Sequence, residues 1–251
     1  MDQRKIVVFI VLVFLSFGVY SQNLEKDNSS LVKIAKQFLG KPYRGHMLSK
    51  ANPEQFISSN EAFDCVTFLE HSLATKISKG KVADFPAALI HVRYAGDSVR
   101  YEKRYHYFSD AMWHLAYPII QHPVRHSIAP KDFHFLSNFI QSQKLPTIDL
   151  SLLDQREQQL RSRPFYYTAN RDLRYVLPLI QDGDLIGLVG KKDDLDYLHT
   201  AMAIRKGNQV YLLHASQEQK KVVISTETLG DYLITHRQFI GISVFRPKFN
   251  E

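Results

Sequence analysis

The 251-residue sequence contains a single cysteine, Cys65, so no disulfide can form within the chain. It also lacks internal repeats, low-complexity tracts and a glycine–serine linker. No phosphate-binding loop, dinucleotide-binding fingerprint or serine nucleophile elbow occurs in it. These absences exclude a disulfide-stabilised scaffold and a repeat protein, and they leave nucleotide-dependent chemistry and serine hydrolysis without a motif.

The first 21 residues have the pattern of a secretory signal. Arg4 and Lys5 precede an apolar run from Ile6 to Val19. That run is shorter than the ~20 apolar residues that a membrane-spanning helix needs, although an uncleaved anchor is the alternative. We therefore expect residues 1–21 to be a signal peptide and residues 22–251 to form one domain of an exported, periplasmic protein.

Composition indicates a globular protein with a basic balance. The chain is 45% hydrophobic and 23% charged, with a formal net charge of +7. Lysine and arginine are scattered and form no clustered stripe of the kind that binds nucleic acid. We expect the partners to be acidic envelope material, such as the carboxylate-rich peptide stems of peptidoglycan fragments, and no nucleic acid.

The order of the predicted elements indicates an α+β domain, because helices come first and antiparallel strands later. Between them, residues 96–178 form an irregular, aromatic-rich region with helical islands at Phe133–Ile140 and Leu152–Leu160. The main predicted elements are helices over Leu31–Phe38, Cys65–Ser78 and Ala87–Tyr94, followed by strands over Leu185–Val189, Thr200–Ile204 and Val210–Ala215.

Cys65 is the candidate nucleophile. With Asp64 as N-cap it lies in the first turn of a helix, where free backbone N–H groups and the helix dipole favour a thiolate. The same N–H groups could bind the oxyanion of a tetrahedral intermediate. A thiol that is unpaired in an exported protein is either an intermolecular disulfide partner or a reactive group, and a buried structural cysteine is the further alternative. We predict a nucleophile with a lowered pKa.

Two histidines on a predicted hairpin are the candidates for base and orienting group. If Lys206 and Gly207 occupy the centre of the turn, His199 lies opposite His214, with Cβ atoms ~5 Å apart on one face. His199 would be the base, and His214 would hold its ring and tautomer. A longer loop would offset the pair, and a one-residue slip would put the histidines on opposite faces. Small residues on the His199 face, at Ala201 and Ala203, leave room for a helix to pack its N-terminus there.

Other candidates are less specific. Arg104, His106 and Tyr107 lie in a run of guanidinium, imidazole and phenol groups that suits a sugar or a peptide carboxylate, or else forms an aromatic core segment. His122, His126 and His134 resemble a loose metal spacing, but no second ligand cluster accompanies them. We expect neither a metal nor an organic cofactor.

Several ordered motifs resemble the NlpC-type papain-like peptidoglycan amidases, and more closely their AmiA-like branch. The segments that carry the resemblance are Phe38–Tyr43, Phe63–Glu70, Arg93–Tyr94, Arg104–Asp110, Asp182–Ile186, His199 and Leu213–Ser216. The resemblance implies a papain-like fold, with N-terminal helices packed on an antiparallel sheet. One departure is Thr200-Ala201-Met202, where the family commonly has a glycine soon after the histidine.

The resemblance also implies the chemistry of the site. It places a cysteine–histidine–polar triad on Cys65, His199 and His214, with Tyr43 and Asp64 bordering the substrate. Members of the branch resemble N-acetylmuramoyl-L-alanine amidases acting on muropeptides, including anhydro-muropeptides. More distant relatives cut between D-glutamate and a diamino acid, and a non-catalytic envelope-binding protein is a third possibility.

Overall fold

The computed structural model describes residues 30–48, 53–119, 125–127, 148–163, 166–190 and 195–249. The predicted signal segment, the predicted helix Phe133–Ile140, and His122 and His134 lie outside these ranges. None of the helices within the ranges combines the length and hydropathy needed to cross a bilayer.

Helices dominate the first half of the described chain, as the sequence predicts. The Cys65 helix and the third predicted helix are confirmed to within about two residues at either end, and the helix predicted over Leu152–Leu160 is also present. The helices are α1 (residues 30–35), α2 (Cys65–Ile77), α3 (Phe85–Arg93), α4 (Phe108–Leu115), α5 (Leu150–Ser162), α6 (Leu173–Val176) and α7 (Leu229–Thr235).

The strands form one antiparallel sheet, which confirms the α+β class. Its order is β2-β3-β8-β4-β5-β6-β7, with β1 also paired to β8. The longest strand, β8, was missed in the sequence, yet it pairs with three other strands. The strands are β1 (Ala116–Ile119), β2 (Arg125–Ser127), β3 (Tyr166–Ala169), β4 (Leu185–Gly190), β5 (His199–Lys206), β6 (Gln209–Ser216), β7 (Lys221–Ile224) and β8 (Phe239–Pro247).

Local polar contacts fix where α2 begins. Asp64 Oδ1 accepts a hydrogen bond from the Thr67 backbone N–H at 2.8 Å, and Thr67 Oγ1 accepts one from the Asp64 N–H at 2.9 Å. This reciprocal capping box satisfies two donors that the helix leaves free, and it sets Cys65 as the first helical residue. The predicted N-cap is therefore confirmed.

The two faces of the sheet bury different helices. Met202 and Leu213 share a buried cluster with Leu69 and Leu73 of α2, whereas the opposite face packs on α7. A helix does pack against Ala201 and Ala203, but it is α7 and not the Cys65 helix, which packs on the opposite face of the sheet. The members of this second cluster include Ala201, Ala203, Leu212, Leu229, Tyr232 and Leu233.

The β5–β6 hairpin turns one residue later than expected. Lys206 pairs with Gln209, so Gly207 and Asn208 are the central turn residues. Gly207 has φ +59°, and glycine at the first central position is the preference of a type II′ turn, whose twist matches that of the strands. Direct opposition of His199 and His214 is therefore wrong. The register shifts by two, so the side chains remain on one face as diagonal neighbours.

We predict that Gly241→Ala destabilises the fold by about 1–3 kcal/mol, since overpacking costs that much in a filled interior. Gly241 lies between β3 and β4, and an added Cβ would clash with the Thr168 carbonyl oxygen. The measurement is urea unfolding. In the control Gly230→Ala the nearest atom to the new Cβ is Thr228 Oγ1 at 3.8 Å, so stability should hold or rise. Equal stability of both variants would contradict the packing described for β8.

Candidate active site

The start of α2 is attached to the start of β5. Thr200 Oγ1 donates a hydrogen bond to the carbonyl oxygen of Cys65 at 2.9 Å, across 135 residues of sequence. His199, the neighbour of Thr200, is the first residue of β5. The fold thus brings the backbone of the candidate nucleophile against the residue next to the candidate base, although each comes from a different layer.

The two candidate histidines are hydrogen-bonded to each other. His199 Nε2 lies 2.7 Å from His214 Nδ1, and the ring centroids are 4.9 Å apart at 76°. His214 is only 2% exposed, so its ring is held by packing as well as by this bond. The contact uses Nε2 of His199 and leaves Nδ1 of that ring outside the pair.

Burial favours the neutral forms of all three groups. It raises the pKa of the Cys65 thiol to about 11, and the negative charge of Asp64 adds to the shift. Burial lowers the pKa of His199 to about 3, with His214 contributing, and lowers that of His214 to about 4. The predicted lowering of the thiol pKa is therefore wrong for the substrate-free site, because desolvation and Asp64 outweigh the helix terminus.

Tyr43 lies beside the thiol because its segment is held on both sides. Its N–H donates to the Lys220 carbonyl oxygen at 2.8 Å, and the Phe63 N–H donates to the Pro42 carbonyl oxygen at 3.0 Å. Burial raises the pKa of the Tyr43 phenol most, and electrostatic interactions with Cys65 and Asp64 raise it further. The structure thus brings the predicted residues Tyr43 and Asp64 together with Cys65.

The other predicted substrate residues make contacts inside the protein. Arg104 Nη1 donates to Glu54 Oε1 and to the Leu48 carbonyl oxygen, both at 2.9 Å. His106 Nε2 is 2.7 Å from the Tyr101 carbonyl oxygen. Tyr107 is buried, and its hydroxyl donates to Glu157 Oε1 at 2.6 Å. These contacts match the alternative of a core segment, and a role in binding substrate stays a prediction.

A cavity of about 580 Å³ adjoins the histidine pair. Tyr232 and His236 of its wall were not identified in the sequence, although their i, i+4 spacing at the end of α7 was a usable signal. The Tyr232 ring stacks on His236 at 3.8 Å and meets His214 edge-on at 5.8 Å. The cavity is lined by Leu198, His199, His214, Ser216, Gln217, Glu218, Lys220, Tyr232, His236, Gln238 and Phe239.

No group of three or more His, Cys, Asp or Glu side chains in the described part of the chain is arranged to hold a metal ion.

We predict that alkylation of Cys65 by iodoacetamide accelerates about tenfold per pH unit from pH 6 to pH 9, because only the thiolate reacts and its pKa lies above that range. Cys65 is the only cysteine in the sequence, so the modified mass reports on it alone. Asp64→Asn removes a charge that raises the pKa while keeping an N-cap oxygen, so its curve should move to lower pH. A rate independent of pH between 6 and 8 would contradict the neutral thiol.

Crystal structures of two Bacteroides proteins are similar to this chain over most of its length. A crystal structure of an N-acetylmuramoyl-L-alanine amidase from Bacteroides uniformis ATCC 8492 is similar, with a TM-score of 0.78 and 25% identity over 89% of this chain and 99% of that one. A structure from Bacteroides fragilis, proposed to be a xylanase, has a TM-score of 0.74 and 26% identity over 86% of this chain and 99% of that one.

More distant similarity is limited to the fold. A protein from Legionella pneumophila str. Philadelphia 1 has a TM-score of 0.66 and 19% identity over 91% of this chain and 95% of that one. No curated protein matches the sequence. The family model of AmiA-like, N-acetylmuramoyl-L-alanine amidase-like proteins matches residues 33–242. The chain therefore belongs to the AmiA-like family of N-acetylmuramoyl-L-alanine amidase-like proteins.

Proposed function

We propose that the protein is a cysteine-dependent amidase of papain-like, NlpC-type fold that cleaves the N-acetylmuramoyl-L-alanine bond of muropeptides, including anhydro-muropeptides. The observation that carries this is the hydrogen-bonded pair His199–His214, whose first member adjoins Thr200, the residue bonded to the Cys65 carbonyl oxygen. Membership of an amidase-like family supports the choice of an amide as the bond attacked. Export of the protein and cleavage of its signal peptide would fit such a substrate, and both stay predictions.

In the first step the thiolate of Cys65 forms at the moment when it attacks the substrate. His199 Nδ1 accepts the proton of Cys65 Sγ while sulfur attacks the carbonyl carbon between the lactyl group and L-alanine. The neutral resting pair means that both charges appear together, and their attraction offsets part of the cost of burial. Backbone N–H groups in the first turn of α2 bind the oxyanion.

The second half of the reaction returns the proton. His199 gives its Nδ1 proton to the leaving nitrogen, so the free peptide departs as an amine and the muramyl acyl group stays on sulfur as a thioester. Water then attacks the thioester, with His199 as base, and the free carboxylic acid and the thiol are released. His214 orients His199 throughout, because a His199 ring that acts as base through Nδ1 carries its hydrogen on Nε2 and donates it to His214 Nδ1 across the 2.7 Å contact.

The same contacts give less support to two other functions, glycoside hydrolysis and non-catalytic binding. Hydrolysis of a glycosidic bond, as proposed for the relative from Bacteroides fragilis, generally uses two carboxyl groups rather than a thiol and an imidazole. A non-catalytic envelope-binding protein would have no use for a hydrogen-bonded histidine pair beside a thiol. The nearest alternative is the same machinery acting as a γ-D-glutamyl-diamino acid endopeptidase.

We predict that the protein releases intact stem peptide from a purified muropeptide and that Cys65→Ala lowers the rate by about 10³-fold or more, because the nucleophile is lost. Mass spectrometry of the products provides the measurement. Substitution of the exposed His91 by alanine is the matched control and should leave the rate unchanged. A product that retains L-Ala-D-Glu on the sugar would identify the endopeptidase, and undiminished turnover by Cys65→Ala would refute the nucleophile.

A further inference from the structure

The position of the general acid decides where each half of the substrate lies. In the proposed reaction the acyl half is bonded to Cys65 Sγ, and the amine half receives its proton from His199. The amine half must therefore extend away from sulfur on the histidine side. The cavity of about 580 Å³ lies on that side, since both His199 and His214 form part of its wall.

The cavity carries a cation that is not neutralised within the protein. Lys220 lines it, is exposed, and forms no ion pair with any residue of the described ranges. Its backbone is fixed to the site, because its carbonyl oxygen accepts the Tyr43 N–H at 2.8 Å. Lys220 has φ +59°, in the tight turn between β6 and β7. The backbone of Lys220 is thus fixed beside the cavity by the segment that also carries Tyr43.

The acidic group of the cavity has a partner of its own. His236 Nδ1 donates to the Tyr232 carbonyl oxygen at 2.8 Å, and Glu218 Oε2 lies 3.3 Å from His236 Nε2, where it accepts a hydrogen bond when the ring is protonated. Glu218 is also largely exposed. Lys220 is the one lysine or arginine among the residues that line the cavity, so it is the cationic contact for an anion that enters.

We propose that this cavity binds the stem-peptide half of the substrate and that Lys220 pairs with a stem carboxylate. The proposal rests on the proposed function for its choice of ligand. Ser216, Gln217 and Gln238 offer neutral donors and acceptors to the peptide amides, and Tyr232 and Phe239 provide apolar surface. The muramyl half lies on the Cys65 side, away from this cavity.

Calorimetric titration of Cys65→Ala protein with the dipeptide L-Ala-D-Glu and with its diamide tests the proposal. The diamide should bind about fivefold more weakly than the acid, the size of one exposed ion pair. Lys220→Met in the same background should weaken binding of the acid about fivefold and leave that of the diamide unchanged. Lys220→Arg should restore binding of the acid. Lys221→Met removes the same charge one residue away, outside the cavity wall, and should match the parent.

Each remaining outcome distinguishes this subsite from the amidase activity. Equal binding of acid and diamide by parent and Lys220→Met would overturn the role of Lys220. Displacement of the dipeptide by the disaccharide would assign the cavity to the sugar half. If the dipeptide binds as expected while wild-type protein cleaves no muramyl amide, the subsite stands and the proposed activity falls. If wild-type protein cleaves the muramyl amide but peptide binding does not depend on Lys220, the proposed activity stands and the subsite falls.

Discussion

The hydrogen bond from Thr200 Oγ1 to the Cys65 carbonyl oxygen, 2.9 Å long, joins the helical layer to the sheet at the point where chemistry is proposed. The bond joins a side-chain hydroxyl of β5 to a backbone carbonyl oxygen in the first turn of α2. Its geometry depends on the capping box that starts α2 at Cys65 and on the packing of α2 against Met202 and Leu213. That junction sets the backbone of Cys65 against Thr200, the residue next to His199.

Burial gives the site a neutral resting state, which separates it from a cysteine enzyme with a permanent ion pair. The pKa of the thiol is raised and those of His199 and His214 are lowered, chiefly by desolvation. A neutral thiol reacts slowly with oxidants and disulfides, so nucleophilicity is gained only when the base removes its proton. The same low dielectric strengthens the interaction between the charges once they form, and so ties reactivity to the bound substrate.

Sequence reasoning succeeded where a short local signal fixes the outcome and failed where distant contacts decide. The N-cap Asp64 and the helix that follows it could be predicted because capping depends on residues three apart. The hairpin was placed one residue early because Gly207 fits either central position until strand pairing selects one. Neither the contact of Arg104 with Glu54, 50 residues away, nor the central position of β8 has a local signature. The thiol pKa depends on burial, which the sequence does not contain.

The central claim is that Cys65 becomes acylated by the sugar half of the substrate. Intact-mass spectrometry of wild-type protein, acid-quenched within the first turnovers on a defined muropeptide, tests it directly. The proposed mechanism predicts an adduct on the peptide containing Cys65 whose mass equals the N-acetylmuramoyl acyl group with its attached sugar. An adduct carrying L-Ala-D-Glu, or rapid product release with no adduct on Cys65 under conditions that preserve thioesters, would contradict it.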